Sequence, residues 1–411
     1  MPSRRSSVAL AVFVVLAALV VVARWLNVRH NATEESADSV VVSVTNGGDH
    51  GPGTLREALF IVATAPTRAR ILVRTPRISL DTPLPPLVNP NGISIAPEGA
   101  GTVELDAHAL KSGPVFDVAG PNTSITGLLV RRCPGAGILL RAPRFKLQTS
   151  AVESCDVGVD VAENAREVLL ERNRFQRNRV GIRFAASSSG TTVTGNDFKE
   201  NRDAGLWAVR SDPDTGNSSI SVRENQFSAN HTDIVAGNVN VLIERNVLAG
   251  AQDASIHIVG NGAIVRGNRV SGGPSMGIIA ENARGAIIEN NELDGLSAYG
   301  VMVRGSSNTL VRANRVHNSG YGLAFVLGEA ASPSTAVDNT IIEPKFNGID
   351  VIGDSPILRR NQVLHPHALA LHVEDFTEPD GKRVLGQPLL DGNSFASATH
   401  LSTQNFGKRP R

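Results

Sequence analysis

The chain has 411 residues, of which 41% are hydrophobic and 19% are charged, and its 40 Lys and Arg residues almost balance its 39 Asp and Glu residues. This composition excludes a disordered chain, and the lack of a basic excess argues against a nucleic-acid partner. Two cysteines are too few for a disulfide-stapled miniprotein or a four-cysteine zinc site.

Residues 1–30 have the pattern of a targeting segment. Two arginines precede an apolar run over residues 8–23, which fits either the core of a cleaved signal peptide or a membrane anchor. Extended to Leu26, the run is long enough to span a bilayer, so we favour an uncleaved single-pass anchor in the inner membrane. The positive-inside rule then predicts that the bulk of the chain lies in the periplasm or outside the cell, joined to the anchor by a polar tether over residues 31–39. A cleaved signal predicts a secreted protein instead.

The first part of the exported chain predicts one short helix. Thr54 and Glu57 have the spacing of a capping box and open an amphipathic helix over about residues 55–64. A helix there can cover the open end of the repeat array that follows, where unpaired strand edges would otherwise be exposed.

Most of the chain is one repeat. From about residue 170 onward, an aliphatic residue is followed by two variable residues, Asn, one variable residue and an apolar residue. The Asn residues of these copies, including two looser copies at positions 339 and 393, are Asn173, Asn196, Asn225, Asn246, Asn268, Asn291, Asn314, Asn339, Asn361 and Asn393. Their usual spacing of 22 or 23 residues indicates a solenoid, in which longer intervals are surface loops.

Each repeat also contains a second apolar segment, usually opened by Gly, as at residues 181–184 and 300–303. Its apolar residues alternate with a period of two, which predicts a strand with one buried face. We therefore expect three short strands per turn, each paired with its equivalent in the next turn. The Asn is predicted to lie at a turn, where it tolerates left-handed backbone and can hydrogen-bond to the Asn of the next coil.

This repeat resembles that of the right-handed parallel β-helix proteins in the pectate-lyase-like superfamily, over residues 40 to 400. The resemblance implies an all-β fold, a right-handed parallel β-helix solenoid of about 22–23 residues per coil with an N-terminal capping helix. Residues 51–59 resemble the N-terminal cap of many exported bacterial β-helix proteins. We assign residues 40–375 to the β-helix and residues 376–411 to a C-terminal cap and basic tail.

The repeat spacing also predicts where the two cysteines lie. Cys133 and Cys155 are 22 residues apart, so we expect them on adjacent coils about 5 Å apart. In an oxidising compartment they can form a disulfide, and two stacked buried thiols fit the sequence equally well.

In this superfamily, polysaccharides usually lie along one outer sheet face, so we aligned the outward positions of the Gly-led strand. The first outward row reads Arg183, Trp207, Val235, His257, Ile279, Met302, Ala324, Asp350 and Ala370. The second outward row includes Glu281, Arg304 and His372. Trp207 can stack on a sugar ring with Arg183 beside it, and Arg304 and Asp350 are the further candidates for substrate binding.

His257 and Glu281 are the candidate catalytic residues. We expect His257 to lie roughly 8 Å from Glu281, a separation that suits two groups flanking a sugar. Glu281 and Arg304 can touch on adjacent turns, either as a surface ion pair or as a catalytic acid with its partner. If the protein is an enzyme, we expect a polysaccharide lyase or C5-epimerase in which His257 moves the proton next to a uronate carboxylate, Glu281 assists, and Arg183 or Arg304 neutralises that carboxylate.

Metal binding has weaker support. His365 and His367 are separated by one residue near His372 and Glu374, which is a spacing that metals use, but Pro366 argues against an ordinary strand there. The sequence assigns no cofactor firmly. Ca²⁺ is the one candidate, by resemblance to calcium-dependent pectate lyases, although no comparable acidic cluster follows one face of this chain. The aspartate and histidine motifs of polygalacturonases and the Asp-Pro-His-Asp motif of mannuronan epimerases are absent from the sequence.

The leading hypothesis is a membrane-anchored, exported β-helix protein that binds or processes a polysaccharide, with uronate-containing chains as one class. The alternative is a non-catalytic structural, adhesive or assembly scaffold. A periplasmic accessory protein with a metal site is a lesser alternative.

Overall fold

The computed structural model describes residues 39–184, 189–209, 219–237, 240–273, 276–328 and 331–395. The predicted anchor, nearly all of the predicted tether and the basic C-terminal end lie outside the described residues. Among the described residues, no helix is long and apolar enough to cross a bilayer.

The chain forms a right-handed parallel β-solenoid of about twelve turns, and three sheets run along its length. Sheet I has 15 strands, sheet II has 14 and sheet III has 12, and all strand pairs within them are parallel. The predicted fold, three short strands per turn with each strand paired to its equivalent in the next turn, is confirmed.

The strands of sheet I are Val40–Val44, Ala69–Val73, Ile93–Pro97, Ser124–Thr126, Lys146–Gln148, Leu169–Glu171, Thr191–Thr194, Ser219–Arg223, Asn240–Glu244, Ala263–Arg266, Ile287–Glu289, Leu310–Arg312, Thr335–Val337, Ile357–Arg359 and Leu389–Asp391. Those of sheet II are Arg77–Ser79, Val103–Asp106, Leu128–Arg131, Ala151–Glu153, Arg174–Gln176, Asp197–Lys199, Gln226–Ser228, Val247–Ala249, Arg269–Ser271, Glu292–Asp294, Arg315–His317, Thr340–Ile342, Gln362–Leu364 and Ser394–Phe395. Those of sheet III are Phe116–Val118, Ala136–Leu140, Val157–Val161, Val180–Phe184, Ala204–Val209, Thr232–Gly237, Ala254–Val259, Met276–Glu281, Tyr299–Arg304, Tyr321–Val326, Ile349–Ile352 and Leu371–Glu374.

Helix α1 covers Leu55–Ala63 and lies against the first two strands of sheet I. Thr54 is its N-cap: the Thr54 hydroxyl accepts a hydrogen bond from the backbone N–H of Glu57, and the Glu57 carboxylate accepts one from the N–H of Gly53 at 2.6 Å. This reciprocal pair satisfies two backbone donors at the start of the helix. At the other end, a short hairpin pairs Phe376–Thr377 with Arg383–Val384, and sheets I and II each gain one more strand beyond the predicted boundary at residue 375.

The interior of the solenoid is filled by stacked side chains from equivalent positions of successive coils. Phe175, Phe198 and Phe227 of sheet II stack ring on ring, with centroids 5.1 and 4.5 Å apart. Such stacking buries a full ring in each of these three coils and fixes their register, because a slip of one residue would turn each ring outward.

The predicted Asn ladder is confirmed over all ten residues from Asn173 to Asn393. Asn268 shows the repeating pattern: its Nδ2 donates to the carbonyl of Ile243 and to Oδ1 of Asn291, and its own Oδ1 accepts from the backbone N–H and Nδ2 of Asn246. The ladder lies between sheets I and II and satisfies buried backbone groups that have no partner in either sheet.

The backbone of the turn differs from the prediction. Left-handed conformation belongs to the residue before each ladder Asn, such as Arg172 with φ 54° and Arg245 with φ 53°, rather than to the Asn itself. The preceding residue takes the strained position because the Asn side chain must point inward to reach the next coil.

Candidate functional site

Sheet III presents the predicted site residues on its outer face. Arg183 pairs with Trp207, Trp207 with Val235, and Val235 with His257 on successive strands. The same row continues through Ile279, Met302 and Ala324 to Asp350. The strand register therefore confirms the predicted row as far as Asp350, with one position per coil and about 4.8 Å between coils.

The last step of the predicted row is wrong by two residues. Asp350 pairs with His372, not with Ala370, and Ile352 pairs with Glu374. Ala370 occupies the position that Gly348 holds in the preceding coil, so no Gly marks the beginning of this strand in the sequence. As a result, His372 lies next to Asp350 in the outward row.

Glu281 connects two of the predicted residues. Its Oε2 lies 3.1 Å from His257 Nε2, and its Oε1 lies 3.6 Å from Arg304 Nη1. The predicted contact between Glu281 and Arg304 is confirmed. The expected separation of 8 Å between His257 and Glu281 is wrong, because the long side chains lean toward each other across neighbouring strands. The side chains of His257 and Glu281 are 23% and 32% exposed.

The hydrogen bond fixes which nitrogen of His257 can act as a base. When Nε2–H donates to the Glu281 carboxylate, the lone pair of the neutral ring lies on Nδ1. The carboxylate therefore orients the imidazole, and Arg304 balances the charge of the carboxylate. Such an arrangement serves acid–base chemistry and equally serves as a rigid polar contact for a ligand.

Arg183 already has a carboxylate partner on the preceding coil. Its Nε and Nη2 donate to the two carboxylate oxygens of Asp160 at 2.9 and 2.6 Å. These hydrogen bonds raise the pKa of Arg183. Next to this pair, Trp207 is 39% exposed. The indole is thus available to a ligand, whereas the charge of Arg183 is largely balanced.

Asp350 is the most buried of the predicted site residues. Its side chain is 4% exposed, its Oδ1 accepts from Asn347 Nδ2 at 2.8 Å, and His372 Nδ1 lies 3.3 Å from the same oxygen. Burial raises the pKa of Asp350, and the contacts with Asn347 and His372 oppose that rise.

An aromatic stack beside Asp350 was missed by the sequence analysis. Tyr299 and Tyr321 pair at the starts of neighbouring strands of sheet III, with ring centroids 4.6 Å apart. Phe346 continues the stack at 5.0 Å from Tyr321. The available signal was an aromatic residue just before the Gly of three successive copies, Tyr299, Tyr321 and, one residue further away, Phe346.

The predicted metal ligands His365 and His367 lie in the turn between sheets II and III, and both are exposed. In the part of the chain that the structure describes, the one group of three or more potential ligands whose donor atoms converge is Asp49, His50 and Asp81, near helix α1. Asp49 is already engaged by Arg56 at 2.6 Å and by the hydroxyl of Thr82. The Ca²⁺ and histidine metal sites remain predictions.

Cys133 and Cys155 lie on adjacent coils at the turns between sheets II and III, with their Cα atoms 4.3 Å apart. Their sulfur atoms are joined in a disulfide. The bond crosslinks two neighbouring turns in the first half of the solenoid.

Sheet II has a different outer surface. A shallow groove of about 390 Å³ is lined by Arg269, Glu292, Asp294 and His317, among other residues. These charged side chains are paired across coils, since Arg269 donates to Glu292 at 3.0 Å and His317 contacts Asp294 at 2.8 Å. The groove is therefore lined by the Arg269–Glu292 ion pair and the His317–Asp294 contact, together with Arg315 and the exposed Val247, and its described lining has no Phe, Tyr or Trp.

Two stretches of the chain, residues 88–215 and 214–363, match the family model described as a right handed beta helix region. No curated protein sequence matches the chain significantly.

Solved structures with a similar fold include the catalytic unit of a thermostable GH87 alpha-1,3-glucanase from Streptomyces thermodiastaticus strain HF3-3, at 14% identity and a TM-score of 0.53, over 89% of this chain and 70% of that one. A variant of a GH87 alpha-1,3-glucanase catalytic domain in complex with tetrasaccharides is similar at 14% identity and a TM-score of 0.51, over 87% and 70% of the two chains. The Dettilon tailspike protein is similar at 14% identity and a TM-score of 0.52, over 87% and 68%. At this level of identity, the similarity establishes the fold.

Proposed function

The chain belongs to the right-handed β-helix family, and on that basis we propose that it binds a polysaccharide along the outer face of sheet III. The observation that carries the proposal is the row of outward side chains, from Trp207 through His257 to Asp350, that the strand register holds in line along the solenoid. A polymer with a short repeat can contact several coils at once, and each additional contact adds affinity without new ordering of the protein.

The charges on this face favour a glycan with little charge of its own. Arg183 is matched by Asp160, and Arg304 is matched by Glu281. A uronate carboxylate would have to displace an existing carboxylate from either guanidinium group, at the cost of leaving that group without its partner. Trp207, by contrast, offers its ring to a sugar without breaking any interaction of the protein.

The solved structures of similar fold suggest which glycan to test first. Two proteins of similar fold are alpha-1,3-glucanases, one of them in complex with tetrasaccharides. We therefore expect an α-1,3-linked glucose tetrasaccharide to be a better ligand than alginate or pectate fragments of equal length.

Isothermal titration calorimetry of the full chain with these oligosaccharides tests the proposal. Trp207→Ala should weaken binding about 10-fold or more, since loss of ring stacking costs on the order of 1–3 kcal/mol. Phe60→Ala is the matched control, because Phe60 is also exposed but lies on helix α1, away from sheet III. Equal affinity of the two variants, or no heat with any glycan, would overturn the proposal.

His257 and Glu281 lie on the same surface, and their acid–base roles stay a prediction. Their support is the 3.1 Å contact that orients the imidazole. Proton NMR of uronate polymers in D₂O with the full chain tests these roles: elimination gives alkene signals and epimerisation exchanges the C5 proton. His257→Gln should abolish either signal, and the absence of both signals with the wild-type protein means binding without this chemistry.

We further propose that the solenoid is exported and held at the membrane by residues 1–30, with α1 covering its first end. The support is the arginine-flanked apolar run in the sequence and the packing of α1 on the first two strands of sheet I. Protease treatment of intact spheroplasts should degrade the solenoid while the protein stays in the membrane fraction. A protected solenoid argues against export, and a freely released one argues for a cleaved signal.

A further inference from the structure

Both tyrosines of the chain lie in one small region of sheet III. Tyr299 and Tyr321 are the only tyrosines in the sequence, and they stack on each other and on Phe346. The stack lies four to six coils beyond Trp207, where the strands of sheet III begin, at the end where Asp350 is found.

This stack differs from the aromatic stack inside the solenoid. Phe175, Phe198 and Phe227 are essentially buried, whereas Phe346 is 50% exposed and both tyrosines are partly exposed. Rings that fill the core need no further partner. An exposed stack at the edge where the strands of sheet III begin leaves apolar surface in water, which a ligand with an apolar face can cover.

Hydrogen-bonding groups converge on the same place. Asn347 follows Phe346 directly and donates to Oδ1 of Asp350, and His372 Nδ1 lies 3.3 Å from the same oxygen. Burial raises the pKa of the Tyr299 phenol, and the nearby Asp350 carboxylate raises it further. An aromatic wall next to a few fixed polar groups is the usual composition of a small-molecule subsite.

The charge of the region selects among sugars. Asp350 is bonded to Asn347 and His372, without a Lys or Arg partner among the described contacts, and Glu374 adds a second acidic group nearby. A carboxylated sugar would be repelled here, whereas the hydroxyl groups of a neutral sugar can donate to Asp350.

We infer that Tyr299, Tyr321 and Phe346, together with Asp350 and His372, form a subsite for one neutral hexose unit of a glycan. The inference rests on the proposed function and adds to it the location and the sugar class of one subsite. Trp207 and Asp350 are six coils apart, about 29 Å. A long glycan then extends from Trp207 past His257 to this end of sheet III, and a tetrasaccharide occupies one end of that path at a time.

The two tyrosines make the test specific. With ¹³C-labelled tyrosine in the full chain, the aromatic NMR spectrum contains signals from this subsite alone. Titration with the α-1,3-linked glucose tetrasaccharide should shift these signals and saturate at the dissociation constant that calorimetry gives. A galacturonate tetrasaccharide of the same length should bind at least 10-fold more weakly.

Three variants complete the experiment. Phe346→Ala should weaken binding of the neutral tetrasaccharide about 10-fold, while Phe60→Ala should bind as the wild type does. Asp350→Asn keeps the shape of the side chain and removes its charge. It should therefore reduce the difference in affinity between the neutral and the acidic tetrasaccharide.

The possible results separate this subsite from the proposed function. If calorimetry shows binding but the tyrosine signals stay fixed, or if Phe346→Ala binds with wild-type affinity, the subsite is wrong and the glycan lies elsewhere on the protein. Tighter binding of the acidic tetrasaccharide overturns the neutral specificity. If no glycan binds at all, both the proposed function and the subsite are wrong.

Discussion

Asp233 is an acidic residue in a place that most other coils give to glycine. It aligns with Gly205 of the preceding coil and Ser255 of the next one at the inner corner where sheet III begins. Its Oδ1 accepts from Asn230, which ends a second, shorter Asn ladder running through Asn178 and Asn201. Its Oδ2 and the hydroxyl of Ser255 have no hydrogen-bond partner among the described residues. Burial raises the pKa of Asp233 to about 8, and the bond from Asn230 only partly opposes this.

Asp233 should therefore make the stability of the solenoid depend on pH. Between about pH 4 and pH 8 the folded protein holds a proton on Asp233 that the unfolded chain releases, so the contribution of Asp233 to the free energy of unfolding falls as the pH rises through this range. Asp233→Asn removes the titration with little change of shape. Urea unfolding should show the variant to be more stable than the wild type at pH 8, by up to about 5 kcal/mol, and nearly equally stable at pH 4. A gain of the same size at both pH values would show that ionisation is not the cause.

The Asn ladder is the element that joins one coil to the next between sheets I and II. Each ladder Asn satisfies a carbonyl of the preceding coil and a backbone N–H that neither sheet uses, as the contacts of Asn268 show. The sequence pattern predicted the ladder because the same residue recurs at the same position in ten copies. It did not predict the left-handed residue before each Asn. Gly or Asn, which favour that conformation, occupies the position in four of the ten copies, and the other six have Arg, Glu, Ala or Asp.

Loss of one ladder residue in the middle of the solenoid should be costly. Asn268→Ala leaves the N–H of Asn246 and the carbonyl of Ile243 buried without partners, which costs about 2–4 kcal/mol in the free energy of unfolding. Asn393→Ala at the partly exposed end of the ladder removes a similar pair of bonds but lets water replace them, so its effect should be below about 1 kcal/mol. Urea unfolding of the two variants measures the difference, and equal losses would contradict the role assigned to burial.

The disulfide is a covalent link between two neighbouring coils. Closing the 22-residue interval between Cys133 and Cys155 restricts the unfolded chain and should stabilise the fold by about 3 kcal/mol. Reduction should therefore lower the urea midpoint of the wild type, while a double Cys133→Ala, Cys155→Ala variant should give the lower midpoint with or without reductant. A midpoint of the wild type that does not respond to reductant would mean that the two thiols are not joined.

At the scale of the whole molecule, periodicity predicted the fold but only part of the site. The row from Arg183 to Asp350 followed from counting outward positions, because one residue per coil repeats along the axis. Contacts that depend on side-chain length, such as the one between His257 and Glu281, and the stack of Tyr299, Tyr321 and Phe346 did not follow from counting. The step to His372 was misaligned because Ala370 replaces the Gly that marks the other strands.

A crystal structure of the full chain soaked with the α-1,3-linked glucose tetrasaccharide shows where on the protein the glycan binds. We predict that the sugar lies along the outer face of sheet III, on the stretch between Trp207 and Asp350, with at least one ring against an aromatic side chain. Sugar bound on the ion-paired surface of sheet II, around Arg269 and Glu292, would contradict glycan binding along sheet III.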